Sequence, residues 1–416
     1  MSLYIPTDFG LLGTHVTWED VEVALQAALG TTAHFGGNKT VINIAEMKGF
    51  LSRIALIEPD WVRSNTEDDD SMEPKLPEKL VVKIASQLAL IEIAQLTGNK
   101  SLEEEKIPQM FPMTKSMHNR EIGVYKMLER EGNGRVPHAK MYAAKSFGDE
   151  DDGDLKAFMI FDYITNRPSS LLECIPAEKI HRVIRGIAGF SSLGEKLPEH
   201  QLSFVGGSEF WDHVIKEFQD KEGSERTAAL LRGTFPAESQ EEVEKMLDIF
   251  GNVFTKPNVL EKFATCPEFL NHKRVLGHCD LWNSNLLFNQ DLDFKAFVDF
   301  QTVSWCTPGL DLSRLFSCVL SKKERREQKD ALLREYYTAF VAELDGKPAP
   351  YTLDQLFDSY SLFYPFMAMI ILPGMASQMA HEKVEDQEVM DKMIGLMEDV
   401  ITTHAENMLK FPAFFE

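Results

Sequence analysis

The sequence predicts an α+β fold of two lobes, a small β-rich N-lobe over residues 1–162 and a larger, mostly helical C-lobe over residues 163–416. Strand-like runs dominate the first part, and helical periodicity dominates the chain beyond Arg167. The predicted helices of that part include 175–193, 209–218, 238–254 and 322–344. One hairpin, between residues 275 and 314, interrupts the helical part and carries a cluster of polar side chains. A chain of 416 residues is long enough for two such lobes, each with its own core.

Composition limits the classes of function. The 44% hydrophobic and 26% charged content are typical of a soluble globular protein. A net charge of −22 argues against nucleic acid and against an anionic membrane surface as partners. The five cysteines form no C-x-x-C pair, which favours a reducing, cytoplasmic location over a disulfide framework or a zinc site. We expect the apolar run 362–375, interrupted by two prolines, to be a buried helix rather than a membrane span.

The N-lobe elements follow from local patterns. Thr17, with Asp20 three residues later, predicts the start of a helix. Runs at 40–45 and 50–58 predict a hairpin with its turn at 47–49, but the G-x-G-x-x-G pattern of a phosphate loop is missing. Further along, runs at 140–147 and 155–164 predict a second hairpin, whose last strand leads into the C-lobe.

Lys83 stands in an otherwise apolar strand, as the lysine of the kinase V-A-I-K motif does. The alternative is an alternating strand that carries Lys79 and Lys83 into solvent. A phosphate-binding lysine needs a carboxylate partner, and we select Glu121. Glu121 lies in the helical region 87–132 and borders its apolar face, whereas the Glu103–Glu105 run is typical of a solvated helix start.

Polar side chains flank the C-lobe hairpin of Leu286–Phe288 and Phe294–Phe300. The spacing H-x-D-x-x-x-x-N, followed by a strand and V-D-F, is typical of the catalytic and metal loops of kinase-like folds. Such a cluster suits phosphoryl transfer, which needs a carboxylate to accept a hydroxyl proton and oxygen ligands for Mg²⁺. Each residue alone could simply cap a turn. The residues of the pattern are His278, Asp280, Asn285 and Asp299.

With these motifs the chain resembles the CHK kinase-like (ecdysteroid kinase-like) family, which is related to choline kinases and aminoglycoside phosphotransferases. The form H-x-D-L-W-x-x-N, with Trp282, is the most specific part, and the similar segments span nearly the whole chain. They are GFLSRIALIEPDW (49–61), LPEKLVVKIAS (76–86), NREIGVYKML (119–128), HCDLWNSNLLF (278–288) and VDFQTVSWCTPGLDLSRL (298–315). The resemblance implies a protein-kinase-like fold that binds ATP and Mg²⁺.

The resemblance also implies roles for individual residues. Asp280 would be the catalytic base, Asn285 and Asp299 the Mg²⁺ ligands, and Asp311 a support of the catalytic loop beside a structural His278. The nucleotide would contact Lys83, held by Glu121, and the side chain of Ser52, while its adenine would meet the linker backbone. The expected catalytic residues are thus Asp280, Asn285 and Lys83, and the expected nucleotide-binding residues are Lys83, Glu121, Ser52, Phe161, Asp162 and Tyr163.

Two features bear on activity and substrate. Cys279 replaces the glycine usual in the family between the histidine and the aspartate; its thiol would make the protein oxidant-sensitive if it were exposed. Asp299 is followed almost at once by Pro308, which leaves little room for the peptide-binding segment of a protein kinase. We therefore expect a kinase that phosphorylates a hydroxyl of a small steroid-, choline- or aminoglycoside-like alcohol. The alternative is a catalytically silent pseudokinase that acts as a binding module. No pattern predicts an oligomeric state.

Overall fold

The structure is a computed structural model that describes residues 2–44, 51–63, 75–97, 107–148, 153–207 and 221–416. The chain forms two compact units. The first comprises Met1–Glu129 and His138–Thr165, and the second comprises Arg130–Pro137 and Asn166–Glu416. The segment 130–137, which contains the last two residues of the helix Phe111–Glu131 and the residues after it, thus belongs to the second unit.

The first unit is built on a five-stranded antiparallel sheet. Its strand order is β2-β3-β5-β7-β6, beside a separate two-stranded pair of β1 and β4. Alternating β-branched and aromatic residues place one face of the sheet in a core shared with the first helix. The strands are β1 His34–Phe35, β2 Thr40–Asn43, β3 Ser52–Glu58, β4 Trp61–Val62, β5 Leu80–Ala85, β6 Met141–Lys145 and β7 Phe158–Asp162.

Both predicted N-lobe hairpins are confirmed as antiparallel pairs, with shorter strands than expected. The predicted turn at 47–49 and the acidic residues 149–152 lie outside the described residues. The first helix begins with a capping box in which the Thr17 side chain accepts from the Asp20 amide and the Asp20 carboxylate accepts from the Thr17 amide. The helices of this unit are α1 Trp18–Leu29, α2 Leu88–Thr97 and α3 Phe111–Glu131, with a 3₁₀ turn at Ile107–Met110.

The second unit is mostly helical and contains two short antiparallel strand pairs, β9 with β10 and β8 with β11. The predicted C-lobe hairpin is confirmed, but its second strand ends at Phe297, and Phe300 begins a 3₁₀ turn. The strands are β8 Val275–Gly277, β9 Leu286–Phe288, β10 Phe294–Phe297 and β11 Ser304–Cys306. The helices are α4 His181–Lys196, α5 Lys221–Thr234, α6 Gln240–Ile249, α7 Pro257–Ala264, α8 Cys266–Phe269, α9 Pro308–Val319, α10 Lys322–Glu343, α11 Leu353–Glu382, α12 Gln387–Lys410 and α13 Pro412–Phe415.

Two predicted C-lobe helices differ in extent. The helix predicted to begin at Ile175 begins at His181, because the Ile175 amide donates to the Val319 carbonyl (2.7 Å) and Pro176 precedes a 3₁₀ turn. The helix predicted over 238–254 ends as an α-helix at Ile249 and continues as a π-helical turn, Phe250–Phe254. The predicted helix at 209–218 lies outside the described residues.

The apolar run 362–375 lies inside helix α11, and its two prolines do not end that helix. Pro365 has no N–H to donate, so the carbonyl of Ser361 loses its helical partner. The Asn407 side chain of α12 replaces it: Nδ2 donates to the Ser361 carbonyl at 2.7 Å, and Oδ1 accepts from Ser361 Oγ at 2.8 Å. A neighbouring helix therefore supplies the hydrogen bond that the proline removes.

By length and composition, α11 is the one helix among the described residues that could cross a membrane. Of its most apolar stretch, 67% is buried inside the structure, as in the core helix of a soluble protein. It packs closely on α9, where a Cβ atom on Gly309 would come within 2.3 Å of the Ser359 backbone. That close approach requires glycine at position 309 and brings the first turn of α9 against the core helix.

Candidate active site

In the first unit the structure brings Lys83 and Glu121 together. Lys83 Nζ lies 2.5 Å from Glu121 Oε2, and both side chains are buried. The Lys83 side chain is 10% exposed, whereas that of Lys79 is 50% exposed. The alternating-strand alternative is therefore wrong for Lys83. A buried cation paired with a carboxylate in this way keeps its ammonium group fixed in position.

The other predicted nucleotide residues lie on the same sheet. Ser52 begins β3 opposite Ala85 and is largely buried. Phe161 belongs to β7 and packs against the Tyr125 ring, with 4.6 Å between ring centroids. The Asp162 amide donates to the Lys140 carbonyl at 2.9 Å, so it is already used within the sheet. Of the three predicted linker residues, only Tyr163 lies beyond the end of the strand.

In the second unit a buried carboxylate organises the predicted catalytic loop. Asp311, in the first turn of α9, accepts from the His278 amide through Oδ2 and from the Cys279 amide through Oδ1, both at 2.7 Å. Thr302 Oγ1 donates to the His278 carbonyl at 2.9 Å. These three bonds fix the backbone on both sides of position 278. Burial raises the pKa of Asp311, while the two amides and Arg314 act to lower it.

His278 serves this loop structurally, as expected. Its Nε2 lies 3.1 Å from the Val298 carbonyl, and its ring packs against Phe300 with 4.9 Å between centroids. Burial lowers its pKa, which favours the neutral imidazole. The histidine thus joins the catalytic loop to the end of the hairpin.

Cys279 is held in the left-handed region, with φ of 64°. Glycine adopts this conformation without the steric cost that a Cβ atom brings, which explains the usual family residue. The thiol is 1% exposed and faces the thiol of Cys306. A Cβ on Gly277 would lie 2.2 Å from Cys306 Sγ and 3.3 Å from Cys279 Sγ. Since the Cys279 thiol is buried, the condition for oxidant sensitivity is not met in this structure.

The Asp280 side chain is largely buried, with 16% of it exposed, and its carboxylate is held at both oxygens. Oδ1 lies 2.6 Å from Arg314 Nη2, and Oδ2 accepts from Asn285 Nδ2 at 3.0 Å. Burial raises the pKa of Asp280; the Arg314 guanidinium acts to lower it, and the nearby Asp299 charge acts to raise it further. This arrangement is typical of a catalytic base whose pKa is set by its neighbours, because an ionised carboxylate in a largely buried site needs a specific cationic partner.

Asn285 and Asp299 can supply metal ligands. The Asn285 group that faces the Asp280 carbonyl (2.8 Å) and Oδ2 must be the amide nitrogen, since both partners are acceptors. The Asn285 amide oxygen therefore points elsewhere. The Val298 amide donates to the Asn285 carbonyl at 3.1 Å, which places Asp299 beside Asn285, and Asp299 is held at φ of 66°.

These donors fit Mg²⁺, which takes hard oxygen ligands and is usually bound through one or two carboxylates, with phosphate and water completing the shell. Within the described ranges, no group of three or more His, Cys, Asp or Glu side chains is placed to hold a metal ion. The predicted set of one amide and one carboxylate would thus depend on the phosphates of a nucleotide for further ligands.

The sequence reasoning missed Arg314. It lies in α9 three residues after Asp311, so both side chains share one face of the helix. Its guanidinium stacks on Trp282, 5.0 Å from the ring centroid, and its charge meets Asp280. The signal was present in the sequence as D-L-S-R, an arginine one helical turn beyond the supporting aspartate, but a helical position carries no indication of which loop it will meet.

Comparison with known proteins identifies the family to which this chain belongs. The model of the DUF1679 family, described as "Uncharacterized oxidoreductase dhs-27", matches residues 3–408. The chain is also 30% identical over 148 residues to "Uncharacterized kinase-like protein D1044.1" of Caenorhabditis elegans, a match covering 32% of this chain and 39% of that relative. The chain thus aligns with well under half of the relative's length.

Among solved structures, a choline kinase from Cryptosporidium parvum is 10% identical, with a TM-score of 0.46 and coverage of 94% of this chain and 97% of that one. A GDP complex of an aminoglycoside 2'-phosphotransferase is 12% identical, with a TM-score of 0.44 and coverage of 93% and 99%. The predicted resemblance to CHK kinase-like proteins is confirmed. The predicted α+β organisation, with a β-rich first part and a mostly helical second part, is confirmed as well. The chain belongs to the DUF1679 family.

Proposed function

We propose that this protein is a phosphotransferase that moves the γ-phosphoryl group of ATP to a hydroxyl of a small molecule. The observation that carries the proposal is Asp280, a largely buried carboxylate held at one oxygen by Arg314 and at the other by Asn285. A carboxylate kept ionised and oriented in this way is suited to accept a proton from an acceptor hydroxyl. The Lys83–Glu121 ion pair supports the proposal, because it has the form of a nucleotide-binding lysine and its partner.

In the proposed reaction, the acceptor hydroxyl gives its proton to Asp280 while its oxygen bonds to the γ-phosphorus. The bond between that phosphorus and the β–γ bridging oxygen breaks, and ADP leaves. Lys83 would bind the α- and β-phosphates. Asn285 and Asp299 would hold Mg²⁺, which would supply positive charge to neutralise the phosphate oxygens. Ser52 and the backbone near Tyr163 complete the proposed nucleotide site.

The family description contains the word oxidoreductase. Dinucleotide-binding oxidoreductase folds place the cofactor at the carboxyl ends of parallel strands. Every pair of strands in the described residues is antiparallel, and the one parallel contact there is an isolated bridge between Gly206 and Ser304. The described sheets therefore do not have the strand arrangement of a dinucleotide-binding oxidoreductase fold. A cytoplasmic location, with five free cysteines, is part of the same proposal.

The acceptor is proposed to be a small alcohol because the chain between Asp299 and helix α9 is short. That stretch holds only a 3₁₀ turn, Phe300–Thr302, and the short strand β11 before the helix begins at Pro308. An extended peptide platform would need a longer segment at this place. Steroid-, choline- and aminoglycoside-like alcohols define the range of acceptors to test.

The proposal is tested with the full chain, ATP, Mg²⁺ and a panel of small alcohols, by measuring ADP release and nucleotide-induced thermal stabilisation. Asp299→Ala should lose both Mg²⁺-dependent stabilisation and turnover, whereas Asp291→Ala, an exposed position in the same hairpin, should keep both. Binding without turnover for every acceptor would favour the pseudokinase. The absence of nucleotide binding in the wild type would contradict the kinase proposal altogether.

A further inference from the structure

Arg314 is a buried cation whose position is fixed by two different partners. Only 6% of the residue is exposed, and its guanidinium lies between the Trp282 ring and the Asp280 carboxylate. Stacking on the aromatic face leaves the edge of the guanidinium directed at Oδ1, at a distance of 2.6 Å from Nη2. The flexible ammonium group of a lysine could not reproduce this geometry.

The charges around Asp280 show why such a cation is needed. Asp299 is a second negative charge acting on Asp280, and burial opposes ionisation of the carboxylate. The Asn285 amide and the Trp282 side chain form hydrogen bonds with the Asp280 carboxylate, and the charge of Asp280 also acts on the Cys318 thiol. Among the groups known to act most strongly on Asp280, Arg314 is the one that carries positive charge. Removing it would leave a buried carboxylate that gains a proton more readily.

We infer that Arg314 is a positioning residue for the proposed phosphotransferase: it turns Oδ1 of the Asp280 carboxylate toward helix α9, so that Oδ2 remains for the acceptor hydroxyl. This inference rests on the proposed function. Asn285 occupies one side of Oδ2, and a carboxylate oxygen can accept a second hydrogen bond. Helix α9 thereby performs two tasks one turn apart, since Asp311 shapes the loop backbone and Arg314 orients the base.

A matched control exists in the same unit. Arg325, on α10, is also buried, pairs with Asp399 at 2.8 Å and faces the Tyr364 ring at 6.0 Å. Replacing either arginine with glutamine removes a buried arginine–aspartate pair next to an aromatic ring. Only the Arg314 pair includes the proposed base. The comparison therefore separates loss of a structural ion pair from loss of base positioning.

The experiment compares kcat and KM for acceptor phosphorylation at one pH in wild type, Arg314→Gln, Arg314→Lys and Arg325→Gln. For Arg314→Gln we expect kcat to fall at least about tenfold while KM for the acceptor changes less than about threefold, because a misoriented base affects the transition state more than it affects substrate binding. Arg314→Lys should restore only part of kcat, because an ammonium group supplies the charge but not the planar, stacked geometry. Arg325→Gln should lose thermal stability and keep a kcat close to that of the wild type.

A wild-type kcat in Arg314→Gln would overturn the inference. A second readout does not depend on activity. At pH 8 the Tm of Arg314→Gln should fall, and adding Asp280→Asn should restore part of the loss, because the second change removes a largely buried charge that has lost its partner. Strictly additive losses would also overturn the inference. If the wild type transferred no phosphoryl group, the proposed function would fail, while this cycle would still decide whether Arg314 holds the Asp280 carboxylate.

Discussion

Replacing Asp311 with asparagine should disrupt the catalytic loop at a defined cost. The carboxylate is 2% exposed and accepts two backbone hydrogen bonds at 2.7 Å, from His278 and Cys279. Asparagine has one acceptor oxygen, so one of the two amides would face an NH₂ group and lose its partner. A hydrogen bond to a charged group contributes about 1.5–3 kcal/mol, and a buried unpaired donor costs about 1–3 kcal/mol. Part of this is offset because the ionised carboxylate no longer has to be buried, so we expect a net loss of about 2–4 kcal/mol.

Two measurements check this prediction. Urea unfolding followed by tryptophan fluorescence gives the free energy of unfolding, and hydrogen exchange on peptides that cover residues 275–285 reports on the two amides. The control is Asp354→Asn, an exposed aspartate in the first turn of α11, which should cost less than about 0.5 kcal/mol. An Asp311→Asn protein as stable as this control, with unchanged exchange in the loop, would refute the proposed role of the carboxylate.

Three further predictions concern stability. Asn407→Ala should lower the free energy of unfolding in urea by about 1–3 kcal/mol. Adding Pro365→Ala should recover part of that loss, because the new N–H can donate to the Ser361 carbonyl. Equal losses in the single and double variants would contradict this prediction. The Cys279→Gly protein should be more stable than the Cys279→Ala protein by about 0.5–1 kcal/mol. Removing a Cβ atom from the left-handed conformation relieves about 1–2 kcal/mol, which exceeds the entropy cost of glycine of about 0.4–1 kcal/mol. The reverse order of stability would show that the backbone at position 279 is not strained. Burial lowers the pKa of His118 from 6.5 to about 4. The neutral, buried imidazole therefore makes its full contribution to the free energy of unfolding above pH 6.5, and up to about 3 kcal/mol of it is lost as the pH falls toward 4. That slope in thermal unfolding should be absent in His118→Gln.

The parts of the site that lie close together in sequence were predictable. Asp280 and Asn285 are separated by one loop, and the hairpin that follows brings Asp299 back beside them, so spacing alone indicated the cluster. Lys83 and Glu121 were predictable for a different reason. A charged residue in a central apolar strand needs a partner, and the helix that follows offered a carboxylate on the edge of its buried face.

Contacts between helices that are far apart in the sequence could not be predicted from local sequence patterns. Arg314 is one of several arginines on helices of this unit, and only the packing of α9 against the loop selects it as the partner of Asp280. The sequence predicted a buried helix over 362–375 in spite of its two prolines, each of which removes a helical hydrogen bond. The side chain that replaces the bond at Pro365 comes from Asn407, in a separate helix. Such compensation depends on tertiary packing, and local patterns do not contain it.

The most direct test of the central claim is transfer of labelled γ-phosphoryl from ATP to small molecules in a metabolite extract, with Mg²⁺, by the wild type and Asp280→Asn. The matched control is Asp293→Asn, an exposed aspartate of the same hairpin. We expect a labelled, phosphorylated product from the wild type and the control, reduced at least about a hundredfold with Asp280→Asn, as general-base removal typically costs 10²–10⁴-fold. Equal labelling by Asp280→Asn and the wild type would contradict the assignment of Asp280 as the base, and absence of any wild-type product would contradict the proposed phosphotransferase.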